Sequence, residues 1–406
     1  MEKTICELFA GVGGFRLGFE RLGSAWRTVW ASQWEPGARV QWAHACYVRH
    51  FGDCPDARGE LHTGEDICGV DKAQIPDHSL LVGGFPCQDY SVAHALSSAH
   101  GIEGKKGVLW WQIRDTIIAK RPAFCLLENV DRLLKSPARQ RGRDFGVMLA
   151  CLAELGYAAE WRVVNAALYG AAQRRRRIFI FAWRDGTAHA RTMEDVTPED
   201  VLSRDGLMAR AFPVDEISSL ARASVGRDID IVDVSDRFAF PFQEAGLMRG
   251  GEIVTASVRE TEEGSTLLGA ILQSGVDERY YIPEDKLDKW TYLKGAKKVQ
   301  RRARSGHEYV FSEGPVAFPD PWDRPARTML TSESTLNRST HVVLDPGTRR
   351  LRLLTPIEAE RLQGFDDGWT EGMPDRMRYF CMGNALVVPM VTRMGKVLDE
   401  IVDEEG

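Results

Sequence analysis

A cysteine follows a proline just past an apolar run in Gly83-Gly84-Phe85-Pro86-Cys87-Gln88. The preceding Leu80-Leu81-Val82 reads as a buried strand, so the thiol falls on an exposed strand-end turn. Thiolate is a nucleophile, and loop positions of this kind favour its activation. A buried structural thiol is the plainer alternative. A second apolar strand, Phe124-Cys125-Leu126-Leu127, ends in Glu128-Asn129-Val130. A carboxyl group there is placed to be desolvated, kept protonated and used as a donor; an ordinary strand-end glutamate is the alternative. Third, Gln173-Arg174-Arg175-Arg176-Arg177 runs into the strand Ile178-Phe179-Ile180-Phe181. Alternate strand residues share a face, so Arg175 and Arg177 point together. Four arginines are by default a solvated run, but their attachment to an apolar strand argues that some face a pocket.

These groups need a scaffold. Thr4 to Phe9 reads as a strand, followed by the turn Gly11-Val12-Gly13-Gly14 and by Phe15, Phe19 and Leu22 at helical spacing. Such a turn puts backbone amides and a helix start at the carboxyl end of a sheet, where open α/β sheets take nucleotide-like ligands. The dinucleotide fingerprint requires glycine at position 16, where Arg16 stands, which weakens a dehydrogenase reading. Arg27 to Ala31 is a further strand, and Ile113, Ile117 and Ile118 suggest a helix. This alternation predicts an α/β fold with a mostly parallel sheet covered on both faces over the first 185 residues.

Beyond residue 185 the chain turns polar and irregular, with Gly250-Gly251 and Phe318-Pro319-Asp320-Pro321-Trp322. A smaller domain of short strands and loops is expected over 186–365. Thr355-Pro356-Ile357-Glu358 is a helix start with a capping box, and Gly364 suits that helix's end. A loop and helix over Tyr379 to Val402 are expected to return to the first domain, so that 1–185 is completed by about 366–406.

A chain of 406 residues suits two domains, and 44% hydrophobic with 27% charged residues excludes collagen-like, coiled-coil and wholly disordered classes. No apolar run is long enough for a transmembrane helix and no signal peptide is seen, so the eight cysteines are expected to be reduced thiols in the cytoplasm. His44, Cys46, His50, Cys54, His62 and Cys68 match no zinc spacing, and no metal is expected. The net charge of −6 argues against a basic coat protein. Base is nonetheless concentrated locally. Lys294, Lys297, Lys298, Arg301, Arg302 and Arg304 occupy eleven residues with no acid among them, a candidate phosphate-binding strip. Lys135, Arg139, Arg141 and Arg143 form a second.

In their order and spacing, Phe-Ala-Gly-x-Gly-Gly at 9–14, Pro86-Cys87-Gln88, Glu128-Asn129-Val130 and Gln173-x-Arg175-x-Arg177 resemble the cytosine-5 DNA methyltransferase family, of the bacterial and phage type found in restriction–modification systems. Glu65-Asp66-Ile67, the block from Arg350 to Phe365, and Gly383-Asn384-Ala385-Leu386 match too. The resemblance covers roughly 4–183 and 350–390. It implies an S-adenosylmethionine-dependent, Rossmann-like mixed sheet with a mainly β target-recognition domain in the unmatched middle.

By this resemblance Cys87 is the nucleophile that attacks C6 of a cytosine swung out of duplex DNA. Glu128 contacts N3, Arg177 the O2 edge, and Arg175 supports the covalent intermediate. S-adenosyl-L-methionine, leaving as S-adenosyl-L-homocysteine, is the implied cofactor. Phe9, Ala10, Gly11, Val12, Gly13 and Gly14 would line its methionine side, Trp34 would pack on adenine, and Asp66 and Ile67 would meet that ring. Pro86, Leu109, Asn384 and Leu386 would close the pocket. Gln33 stands where relatives often carry the carboxylate that holds the ribose, so either Gln33 or Glu35 takes that role. Ala385 replaces an expected serine. Gln88, Ser91, Lys105 and Lys106 are expected DNA contacts, and Asp89 to Gly107 reads as a lid. A monomer with a cognate restriction endonuclease in the same system fits this reading. The alternatives are a catalytically silent DNA- or partner-binding relative and an RNA cytosine-5 methyltransferase.

Overall fold

The computed structural model describes residues 1–52, 61–85, 109–226, 230–302 and 306–406. They divide into two contact units. The first comprises 1–169, 176–263 and 386–406, and the second 170–175 and 264–385.

The first unit is built on one mixed sheet. Its described strands are β1 (Thr4–Leu8), β2 (Arg27–Ser32), β3 (Leu61–Thr63), β4 (Leu80–Gly84), β5 (Phe124–Asn129), β6 (Tyr157–Asn165), β7 (Arg176–Arg184), β8 (Val214–Ser224), β9 (Ala245–Arg249) and β10 (Glu252–Glu260). They lie in the order β3-β2-β1-β4-β5-β7-β6-β9-β10-β8. The first five pair in parallel; β7 and the strands beyond it pair antiparallel. Parallel strands are buried on both faces, which is why β4 opens with Leu80-Leu81-Val82 and β5 with Phe124-Cys125-Leu126-Leu127, and why β1 is buried throughout.

Side-chain alternation shows both faces of β5 covered. Cys125 and Leu127 join a core with Ile113 and Ile117 of α3 (Leu109–Lys120) and with Phe145, Leu149 and Leu152 of α4 (Arg143–Glu154). On the other face Phe124 stacks on Phe181, 5.7 Å between ring centroids, and meets His189 of the short helix Ala188–Glu194. Two more helices follow strand ends: α1 (Gly14–Glu20) after β1 and α2 (Trp42–Phe51) after β2. Residues 366–385, expected to join this unit, lie in the second, whereas the C-terminal helix (Val388–Asp403) lies in this one. Two glycines permit its close approach to α1: a Cβ on Gly18 would lie 2.6 Å from Val391, and one on Gly395 would lie 2.9 Å from Leu22.

Residues 186–263 differ from the expected irregular domain. They remain in the first unit, and 214–260 contributes three strands to the sheet. The cause lies in β6, which is buried along its length except at Asn165. Its free edge must be paired, and β9 pairs it from Ala245 opposite Arg162 to Met248 opposite Ala159.

The second unit holds two antiparallel ribbons. One joins β11 (Lys297–Arg302) to β12 (Glu308–Glu313), the other β13 (Val342–Leu344) to β14 (Leu351–Leu353). Ile282, Trp290 and Val342 form its apolar core. The Thr355 capping box and the left-handed Gly364, φ 78°, bound the helix Pro356–Gln363 as expected. That box also serves a buried ion network: Arg352 lies 2.9 Å from Asp345 and 2.7 Å from Glu358, the box's own acid.

Candidate active site

The parallel strands β1, β2, β4 and β5 end on one edge of the sheet, so the segments that follow them emerge together. Gly84, the last residue of β4, is opposite Glu128 on β5. A Cβ at Gly84 would lie 3.2 Å from Glu128 Oε2, so the missing side chain makes room for the carboxylate. Across the other edge of β5, Arg177 Nε lies 2.9 Å from Glu128 Oε1. Arg177 also donates to the Arg176 carbonyl at 2.7 Å. Asn129 then ties the two strand ends together. Its amide nitrogen donates to the Phe85 carbonyl at 2.9 Å, and its side-chain oxygen accepts from the Val130 amide at 2.8 Å. Sequence reasoning quoted Asn129 without giving it this duty; the signal was its place directly after Glu128.

Phe85 is the last described residue before the nucleophile segment. Pro86, Cys87, Gln88, Ser91, Lys105 and Lys106 lie outside the described residues, as does Arg304 of the basic strip.

The glycine turn has the left-handed backbone its sequence requires, with φ 58° at Gly11 and 88° at Gly13. Phe9 also has positive φ, 56°, a strained value for an aromatic residue. The Ala10 amide donates to the Ser32 carbonyl at 3.0 Å, and the Gly11 amide to Gln33 Oε1 at 2.7 Å. Gln33 thus braces the turn with the oxygen that would otherwise meet a ribose. Glu35 is half-buried, its carboxyl pushed above the usual range by desolvation, and has no side-chain hydrogen-bond partner among the described residues. Trp34 is 38% exposed, an apolar ring available to a planar ligand.

Ile67 and Phe85 belong to the large apolar core on one face of the sheet, and Phe9 and Leu109 pack against that core. Asp66 caps the short turn after β3 by accepting from the Cys68 amide at 3.0 Å.

A charged cluster escaped sequence reasoning. Glu7 is fully buried inside β1 and accepts from the Tyr47 hydroxyl at 3.0 Å. Burial pushes its carboxyl up to about 7, against the opposing pull of Tyr47 and Arg16. The guanidinium of Arg16, itself buried, lies 4.3 Å from the centroid of the Phe51 ring. Tyr47 and Phe51 also fill the space that a side chain at Gly13 would need. A lone glutamate in an apolar strand was the available signal.

In the second unit Arg175 is 1% exposed and donates to the carbonyls of Met329, Gly383 and Ala385 at 3.0, 2.8 and 2.8 Å. Gln173 bonds the Leu362 carbonyl and the Met329 amide. Arg175 thus holds the backbone on either side of Asn384, which is exposed at the end of the helix Asp375–Asn384; Leu386 is buried in the first unit.

The basic strip is not uniform. Lys294 is 2% exposed, with its ammonium on the carbonyls of Arg338 and Thr340. It therefore does not belong with the exposed cations: it ends a helix, and loop carbonyls fold over it. Lys297, Lys298, Arg301 and Arg302 lie on the β11–β12 ribbon, the last three exposed. Of the second strip, Lys135, Arg139 and Arg141 are exposed, while Arg143 pairs with Asp144 at 2.9 Å. No helix among the described residues is long and apolar enough to cross a membrane.

The model of the C-5 cytosine-specific DNA methylase family matches residues 3–400. The Type II methyltransferase M.Sau3AI of Staphylococcus aureus is 50% identical over 401 residues, covering 98% of this chain and 95% of that protein. The Type II methyltransferase M.NgoBI of Neisseria gonorrhoeae is 38% identical over 185 residues, 46% of this chain and 51% of that one. Among solved structures, a methyltransferase of Entamoeba histolytica superposes with a TM-score of 0.60 at 15% identity, covering 99% of each chain, a likeness of fold.

Proposed function

This chain belongs to the C-5 cytosine-specific DNA methylase family, as a DNA cytosine-5 methyltransferase of the restriction–modification type, and from that premise we propose how its residues carry out the reaction. Cys87, as thiolate, adds to C6 of the target cytosine. Electron density moves to C5 while Glu128 gives a proton to N3 and Arg177 binds O2. C5 then takes the methyl group; loss of the C5 proton to water or hydroxide, expulsion of Cys87 as thiolate and return of the N3 proton to Glu128 restore the ring as 5-methylcytosine. A stacked base shields both ring faces, so the cytosine must leave the helix first.

The carrying observation is the Glu128–Arg177 pair: Glu128 ends β5, the strand beside the one whose sequence continues to Cys87, and Arg177 reaches it from β7. On binding the base, Arg177 would exchange this contact for the O2 edge and Glu128 for N3.

S-adenosyl-L-methionine supplies an electrophilic methyl group when bound and leaves as S-adenosyl-L-homocysteine. The residues present fit such a group: a glycine turn with open space at Gly11, the exposed Trp34 ring, and the Glu35 carboxyl, which has no side-chain partner among the described residues. Phe9, Ala10, Gly11, Val12, Gly13 and Gly14 would hold the methionine part, Trp34, Asp66 and Ile67 the adenine, and Pro86, Leu109, Asn384 and Leu386 the closing wall. Arg175 acts at one remove, fixing the backbone at Gly383 and Ala385. The second unit would read the duplex, with Gln88, Ser91, Lys105 and Lys106 adding contacts from the first. A cytoplasmic monomer paired with a cognate endonuclease completes the reading.

Bisulfite sequencing of DNA from cells that express the chain tests it. The expected result is one short motif whose cytosine resists conversion, with protection lost in Cys87→Ala. Uniform conversion in the presence of folded enzyme contradicts the reading.

A further inference from the structure

The β11–β12 ribbon offers two different faces. Register places Lys297 opposite Glu313, Val299 opposite Phe311 and Arg301 opposite Tyr309 on one side. On that side Arg301 lies 3.8 Å above the Phe311 ring of the opposite strand, Lys297 4.8 Å above Tyr292 and Glu313 3.7 Å from Arg338; Val299, Arg301 and Tyr309 are exposed, and Lys297, Phe311 and Glu313 are half-buried. The other side carries Lys298 opposite Ser312, Gln300 opposite Val310 and Arg302 opposite Glu308, and all six are exposed. The Gln300 side chain has no hydrogen-bond partner among the described residues, and Val310, opposite it in the ladder, is 54% exposed. A protruding valine between two cations is costly surface unless a ligand covers it.

We propose that this outer face enters the major groove of the DNA substrate and reads an A·T pair, with the Gln300 amide on adenine N6 and N7 and Val310 against the thymine methyl. The inference rests on the reading of the second unit as the part that recognises duplex DNA. Three arguments carry it. A two-stranded ribbon fits the major groove, about 12 Å wide, and not the minor groove at about 6 Å. Lys298 and Arg302 are four strand residues apart, about 13 Å, so they reach the phosphates on both lips of that groove while Gln300 sits midway. Gln300 and Val310 are directly paired, with Cβ atoms about 5 Å apart, which suits the two bases of one pair or of adjacent pairs. The ribbon gathers positive charge in a chain whose net charge is −6, so the complementarity is local.

The test offers the purified enzyme a pool of duplexes with randomised flanks around cytosine. Methylated products are read by bisulfite sequencing, and the bound fraction is sequenced separately, so that a variant that no longer turns over still reports its preference. Gln300→Ala and Val310→Ser should each relax one A·T position, lowering discrimination there about 5- to 150-fold, and leave the other positions and the methylated cytosine unchanged. Lys298→Ala should weaken binding evenly across sequences and flatten its salt dependence. If Gln300→Ala and Val310→Ser both keep the wild-type preference in the bound pool, the ribbon is not the reader and the proposal falls. A wild-type enzyme that methylates no cytosine in any duplex would instead overturn the methyl-transfer reading.

Discussion

Arg177 and Glu128 meet end-on between neighbouring antiparallel strands, Nε to Oε1 at 2.9 Å, with side chains only 16% and 12% exposed. Each is the other's partner until a base arrives. Glu128→Gln keeps the shape and removes the transferable proton. It should lower methyl transfer by about 10²- to 10⁴-fold while leaving cofactor affinity near that of the wild type. Single-turnover kinetics with labelled cofactor, alongside a binding titration, measure both. A rate within a few-fold of wild type would remove Glu128 from the chemistry.

The ribose contact divides two neighbours. Gln33 spends its side-chain oxygen on the Gly11 amide at 2.7 Å, and Glu35 has an uncommitted carboxyl. Glu35→Gln is therefore expected to raise the dissociation constant for S-adenosyl-L-methionine by roughly 10-fold, in line with losing a charge-assisted hydrogen bond. The loss should be smaller with the 2′-deoxy analogue, which lacks one partner hydroxyl. Calorimetry on both ligands decides; equal weakening of both would return the role to Gln33 or to the turn's geometry.

Glu7 makes stability depend on pH. Its folded carboxyl titrates at about 7, above the ordinary 4.5, so the folded chain holds this proton more tightly than the unfolded chain. The contribution is complete below about pH 4.5 and is lost as pH rises through 7. Glu160, buried beside Arg162 and also near 7, acts in the same direction. Glu7→Gln retains an acceptor for the Tyr47 hydroxyl and removes the ionisation. Melting temperatures at pH 5 and pH 8 should show wild type losing more than the variant over that interval, by on the order of 1–3 kcal/mol. Identical losses would mean that Glu7 stays ionised when folded.

Much of this was legible because it is local. The strand, glycine turn and helix over residues 4–20 are set by period and by left-handed glycines. The Thr355 box marks the start of its helix from within four consecutive residues, Thr355 to Glu358. Edge pairing is not local. β8 alternates without a solid apolar face, being exposed at seven of its eleven positions, and nothing within Val214 to Ser224 states that it extends a sheet begun two hundred residues earlier. Lys294 shows the same limit for charge: spacing placed it among five exposed-looking cations, and only the loop carbonyls of Arg338 and Thr340 reveal that it turns inward.

The central claim is a transient bond between one sulfur and one pyrimidine carbon. A duplex with 5-fluorocytosine at the target position blocks the last step, because fluorine cannot depart as a proton does. Incubation with the enzyme and S-adenosyl-L-methionine, followed by digestion and mass spectrometry, should recover a methylated nucleotide joined to the peptide that contains Cys87, and no adduct from Cys87→Ser. An adduct on any other cysteine, or turnover by the Cys87→Ser enzyme, would contradict it.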